Sequence, residues 1–204
     1  MLKAGDQAPR FSLPAADGST FDLAKSKGRH VVVYFYPRDD TPGCTVEAID
    51  FSRARKDFEA AGASVVGISK DSIASHCRFR DKHDLTITLA SDQDLTVHKA
   101  FGAWGEKTMY GKKIEGVLRS TFLVGPNGKI VRAWPSVKVA GHVAQVLDTL
   151  RGGDGAADAP APKKPAAAKA TKAAPKAAKP AAKASPKAAS KVAKTAKTQA
   201  RKKA

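Results

Sequence analysis

One cysteine, a threonine three residues before it and an arginine far along the chain carry the reactive chemistry of this sequence. Cys44 ends the segment Tyr34-Phe-Tyr-Pro-Arg-Asp-Asp-Thr-Pro-Gly-Cys44, in which Pro37, Thr41 and Cys44 fall in the spacing P-x-x-x-T-x-x-C. The strand-like run His30-Val-Val-Val-Tyr-Phe-Tyr36 overlaps its start, and apolar residues at Ala48, Phe51, Ala54 and Phe58 follow near the helical period. Cys44 is therefore expected in the first turn of a helix, at the carboxyl end of a strand. Unpaired backbone N–H groups and the positive end of the helix dipole meet there and favour an ionised sulfur. A tight turn through Pro37 and Pro42-Gly43 would hold the Thr41 hydroxyl beside the sulfur, able to donate or accept. Arg119 interrupts the apolar run Gly116-Val-Leu-Arg-Ser-Thr-Phe-Leu-Val124, and a guanidinium there needs a partner for its charge. Such a set suits attack on an oxygen–oxygen bond. One oxygen is taken by sulfur while the other leaves with developing negative charge, where a fixed donor contributes about 3–4 kcal/mol. Each piece also has a plainer reading. Thr41 and Pro42 can be a helix cap and first-turn proline, and an isolated cysteine can be a small core hydrophobe. The combined spacing favours chemistry.

The elements that must position these groups follow from period and punctuation. Arg10–Leu13 and Thr20–Leu23 alternate around Asp17-Gly18 as a hairpin. A strand at 30–36 leads into a helix from Pro42 to about Ala61, with Gly62 at its C-cap. A strand at 64–69, a helix from Asp71-Ser72 to His83, a strand at 86–89 and a short helix at 92–101 come next. Gly102, Gly105, Gly111 and Gly116 mark residues 102–116 as a loop. Strands at 117–124 and 129–134 meet at Pro126-Asn127-Gly128, and a last helix spans 139–150. Strands alternating with helices and closing on a hairpin describe an α/β, partly parallel sheet.

Composition divides the chain. Residues 154–204 hold thirteen Lys and one Arg against two Asp, which accounts for twelve of the formal net charge of +17. The division reads as a domain over 1–153 and a disordered Ala/Lys/Pro-rich tail over 154–204, where there is too little apolar surface to offset ordering entropy. The tail's lysines suit phosphates, so non-specific DNA, RNA or another polyanion is its candidate partner, set against a solubilising extension with none. No apolar run nears the ~20 residues of a membrane span, and the start lacks the order of a secretion signal. A cytoplasmic protein is expected, nucleoid-associated if the tail binds DNA. Two cysteines without a CxxC pair argue against a disulfide scaffold and a dithiol oxidoreductase. His76, His83, His98 and His142 share no ligand spacing and read as surface or helix-end residues, as Asp39 and Asp40 read as solvated. No metal or cofactor is expected.

The segment 34–45, the stretch Phe101-Gly-Ala-Trp-Gly-Glu-Lys107, the Gly111-Lys112 pair and Gly116–Leu123 together resemble the Q-type peroxiredoxins, the bacterioferritin comigratory protein group. The resemblance covers roughly residues 3–151. It implies a thioredoxin-like fold, a monomer, and a thiol peroxidase that reduces hydrogen peroxide and organic hydroperoxides to water and alcohols. It assigns Cys44 as the peroxidatic cysteine that becomes a sulfenic acid, Thr41 and Arg119 as its activators, and Pro37 as the shield of the pocket. Glu47, one turn on, would support the hydrogen-bond network. Thioredoxin or another thiol would be the reductant. The runner-up reading is a nucleic-acid-associated protein whose redox domain is secondary.

The resemblance fails at recycling. Many members carry a resolving cysteine five residues after the first, where this chain has Ile49; others carry it about where Arg80 stands. Cys77, three residues before Arg80, is a displaced candidate resolver. A disulfide needs Cα atoms within ~7 Å, so the Cys44 helix would have to unwind locally. Resolution by an external thiol is the alternative.

Overall fold

The computed structural model describes residues 1–26, 28–109 and 112–152. Ser12–Pro14 (β1) and Thr20–Asp22 (β2) pair antiparallel around a turn in which Asp17 accepts from Ser19 and Gly18 takes φ +81°. A single 3₁₀ turn, Leu23–Ser26, leads to His30–Phe35 (β3). The helices Pro42–Arg53 (α1) and Arg55–Ala60 (α2) connect β3 to Ala63–Ser69 (β4). Ile73–Lys82 (α3) connects β4 to Thr88–Ser91 (β5), and Thr96–Phe101 (α4) follows. Trp104–Met109 (β6), Lys112–Val117 (β7), Ser120–Val124 (β8), Ile130–Trp134 (β9) and His142–Leu150 (α5) complete the order.

Among the described residues the largest sheet has the order β5-β4-β3-β8-β9. β3, β4 and β5 run parallel, while β8 pairs antiparallel with both β3 and β9, so the sheet is partly parallel as the pattern predicts. β3 is central, and Val31–Tyr36 are all buried, the near-continuous apolar run of a strand covered on both faces. Its alternation divides the core. Val31, Val33 and Phe35 face Phe11, Phe101 and Phe122; Val32, Tyr34 and Tyr36 face Phe51, Phe58, Phe79, Val146 and Cys44. Full burial of such side chains contributes about 1.5–3 kcal/mol each, so both layers matter to the fold. Tyr34 stacks between Tyr36 and Phe51, at 5.5 and 4.7 Å. Across the ladder it meets Gly67, where an added Cβ would come within 2.5 Å of its ring.

Several boundaries differ from the periodicity. The expected helix 42–61 is two, because Ala54 at ψ 0° turns the chain while keeping Phe51 and Phe58 together at 5.9 Å. The strand expected at 86–89 begins two residues later, since Ala90 and Ser91, weak strand formers, take the pairing with Ile68 and Ser69. The expected loop 102–116 holds the hairpin β6–β7, with Gly105 opposite Gly116. Its ladder is backbone pairing, and Lys113, Ile114 and Glu115 are exposed, so no apolar alternation announced it. The strand expected over 117–124 breaks at Leu118-Arg119, between β7 and β8. The proposed tail, 154–204, lies outside the described residues, as do Gly111 and the end of the proposed domain at Gly153.

Candidate active site

The carboxyl end of β3 and the amino end of α1 deliver the sulfur. Cys44 is the third residue of α1 and only 1% exposed, on the sheet face that carries Tyr34 and Tyr36. Pro42 opens the helix, where its missing N–H costs nothing. Thr41 is the cap residue by backbone, its carbonyl accepting from Thr45 N–H at 2.8 Å. Its hydroxyl does not cap; it donates to the Arg38 carbonyl at 3.2 Å. Thr41 thus keeps its oxygen lone pairs for another partner. Pro37 is half-buried between the strand and this loop.

The cation arrives from the seam between β7 and β8. Arg119 Nη2 donates to Cys44 Sγ at 3.1 Å, and Nη1 donates to Glu47 Oε2. One guanidinium therefore bridges a sulfur and a carboxylate one turn apart on α1, a use of the fixed fork that an ammonium cannot match. It passes over Gly43, where a Cβ would lie 3.5 Å from Nη2. Burial alone would push the Arg119 pKa down, but Glu47 and Cys44 outweigh it and raise it. Glu47 is 1% exposed, and burial pushes its carboxyl up to about 7 despite the arginine. Its second oxygen, Oε1, is buried with no hydrogen-bond partner. His142, at the start of α5, is also buried; burial, with the Arg119 charge adding, holds it down at about 4, and its Nε2 lies 2.8 Å from the Thr121 hydroxyl.

Cys77 is half-buried on α3 and packs against the same apolar cluster as Cys44. Its Sγ donates to the Ala16 carbonyl at 3.3 Å, an oxygen that Arg80 Nη1 also reaches at 2.7 Å. Both cysteines are free thiols. Trp104 packs on the opposite layer and so belongs to the core rather than to this site.

The readings of Asp39, His76 and His98 as surface or helix-end residues are corrected, whereas His83 does end α3 and His142, though buried, does open α5. Asp39 is 7% exposed and His76 fully buried, with His76 Nδ1 2.9 Å from Asp39 Oδ2. Tyr36 donates to Asp39 Oδ1 at 2.8 Å, and the Asp39 N–H donates to Asp71 Oδ2 at 2.7 Å. Burial would raise the Asp39 carboxyl, yet its hydrogen bonds, chiefly with His76, hold it below the usual range. Asp40 remains exposed but is held by Lys82 and His83. His98 is buried against Asp92 at 2.6 Å. A usable signal existed for His76: it stands three residues before the buried Phe79, on the same helical face. Asp39, in a turn, had none.

A partly parallel sheet with helices on both faces and a cysteine opening the helix after the central strand is the architecture of the thioredoxin-like class. Comparison with known proteins narrows this. The AhpC/TSA family pattern matches residues 4–133. A relative from Mycobacterium tuberculosis, named among the peroxiredoxins, is 53% identical over 149 residues, which cover 73% of this chain and 95% of that one. The peroxiredoxin Bcp of Escherichia coli K12 is 43% identical over 150 residues, covering 74% and 96%. The solved peroxiredoxin Q of Xanthomonas campestris superposes with a TM-score of 0.67 at 44% identity, covering 70% of this chain and 90% of its own. The chain belongs to the AhpC/TSA family, in its peroxiredoxin Q and Bcp group, and is a peroxidase. Among the described residues no helix is long and apolar enough to cross a membrane, and no three His, Cys, Asp or Glu converge as a metal site.

Proposed function

We propose that Cys44 is the peroxidatic nucleophile of a thiol peroxidase acting on hydrogen peroxide and alkyl hydroperoxides. The observation that carries this is the 3.1 Å contact from Arg119 Nη2 to Cys44 Sγ at the mouth of α1. The thiolate attacks one peroxide oxygen, the O–O bond breaks, and the second oxygen leaves as hydroxide or alkoxide, taking a proton from solvent. Arg119 stabilises the charge on sulfur before attack and on the leaving oxygen during it. Thr41 accepts the hydroxyl of the incoming peroxide through lone pairs left free by its donation to Arg38, and Pro37 shields the opening. Glu47 holds the guanidinium in place. The alkyl peroxide reduction activity described for the bacterioferritin comigratory protein of X. campestris, 43% identical here, supports the organic substrate class.

Cys44 is left as a sulfenic acid and returns to the thiolate through a thiol. Cys77 is the resolving thiol, and thioredoxin or another thiol reductant then opens the disulfide. Turnover needs one copy of the chain and only residues 1–153; the lysines of 154–204 are the segment for polyanion binding. The deciding experiment is peroxide turnover with thioredoxin as reductant. Cys44→Ser should abolish it. Cys77→Ser should consume one equivalent of peroxide and then turn over poorly. Wild-type turnover in Cys44→Ser would overturn the assignment.

A further inference from the structure

A buried hydrogen-bonded pair joins the loop that delivers Cys44 to the helix that carries Cys77. The Asp39 carboxylate and His76 Nδ1 are 2.9 Å apart, with side-chain exposures of 4% and 0%. Tyr36 O–H and the backbone bond to Asp71 fix Asp39 from two further directions. From outside, Lys82 and His83 of the α3 end hold the Asp40 carboxylate at 2.6 and 2.9 Å. Asp40 itself sits at φ +56°, a sparsely populated conformation for a residue with a side chain. A buried polar contact satisfied from several sides holds its members in one geometry.

Immediately after this pinned dipeptide the chain is held loosely. Thr41 makes no side-chain cap, and Gly43, a poor helix former, lies in the first turn of α1. Cys44 is tied to the rest of the site by Arg119. That tie is charge-assisted while the sulfur is a thiolate and weaker once it is a neutral sulfenic acid.

We propose that the Asp39–His76 pair is a pivot: it keeps the Cys44 loop fastened to α3 while the first turn of α1 unwinds, so that oxidised Cys44 swings onto Cys77. The inference rests on the reading of Cys44 as peroxidatic and Cys77 as its resolver. The reach suffices. Cys44 is five positions after Asp39, a span of at most about 18 Å when extended, and Cys77 is about 3.8 Å, Cα to Cα, from His76. Unwinding Pro42–Cys44 alone can therefore bring the two sulfurs to disulfide distance. The Cys77 thiol loses its proton as its sulfur attacks the Cys44 sulfur, the S–S bond forms as S–O breaks, and the departing hydroxide takes that proton and leaves as water. Asp39 and His76 touch neither reacting sulfur; they are positioning residues.

The test mixes reduced full-length protein with one equivalent of hydrogen peroxide, following peroxide loss and, by acid quench and non-reducing intact mass, disulfide formation. Asp39→Asn and His76→Gln should slow disulfide formation relative to Cys44 oxidation by about tenfold or more, with sulfinic acid accumulating at excess peroxide. Asp39→Glu should recover part of the rate. The double variant should be no slower than either single one, as two halves of one device require. Should the buried variants fail to fold, Asp40→Asn, which loosens the exposed half, should shift the same partition by about twofold to threefold. A disulfide-to-oxidation ratio within twofold of wild type in every folded variant overturns the pivot. Peroxide loss in wild type with no Cys44–Cys77 disulfide overturns it too, but leaves the peroxidase reading intact. No peroxide loss at all would overturn both.

Discussion

One guanidinium divides its donors between a sulfur and a carboxylate, and the two partners make different demands of it. Arg119→Ala should lower the second-order rate of Cys44 oxidation by about 10²–10³, and Arg119→Lys should restore only part, because a single ammonium cannot hold both geometries. Stopped-flow peroxide consumption measures this, and a change under threefold would contradict the role. The groups around Arg119 also predict a pH signature. Glu47 has its carboxyl raised to about 7 from 4.5, so the folded state holds that proton more tightly; its contribution is complete at low pH and is lost as pH rises through that window. His142 is depressed from 6.5 to about 4, so its contribution is complete above 6.5 and is lost as pH falls toward 4. Between about 4.5 and 6.5 the two slopes oppose. Urea midpoints of Glu47→Gln should therefore rise with pH across this range, and those of His142→Asn should fall. Parallel pH profiles in the two variants would show that neither burial effect governs stability.

The elements around β3 are packed closely enough that one methylene matters. Gly67 on β4 lies under the Tyr34 ring, so Gly67→Ala should cost about 1–3 kcal/mol in urea unfolding. The Tyr34 hydroxyl is buried with no hydrogen-bond partner, so Tyr34→Phe should be neutral or stabilising and should relieve part of that cost. Legibility at this scale followed burial. β3 and the start of α1 were readable because a fully covered strand runs into a proline-marked helix. The β6–β7 hairpin was not, because its pairing is backbone to backbone and three of its side chains face water. The placement of Thr41 and Cys44 at the start of α1 was readable from spacing alone. Asp39 and His76 were not, because a polar residue in a turn looks the same whether water or another buried group satisfies it. Arg119 was singled out as a costly charge in an apolar run, whereas the strand break that lets it lean toward α1 leaves no mark in hydrophobicity.

At the scale of the molecule, the family pattern ends at residue 133 and the chain's relatives cover about three-quarters of it. The basic segment 154–204 lies beyond the residues that the family pattern matches. A chain ending at Gly153 should turn over peroxide at the full-length rate. If the segment binds polyanions, its removal should abolish any salt-dependent shift of DNA in a gel, and an unchanged shift would reject that partner. The sulfur and the guanidinium are 75 positions apart in the chain and are brought together where β8 pairs beside β3. A nascent or refolding chain that has made β3, α1 and β4 owns the thiol but not its cation. Such a chain holds an unarmed cysteine, and reactivity toward peroxide should return during refolding only with the late, long-range closure of the sheet, after helix content has recovered.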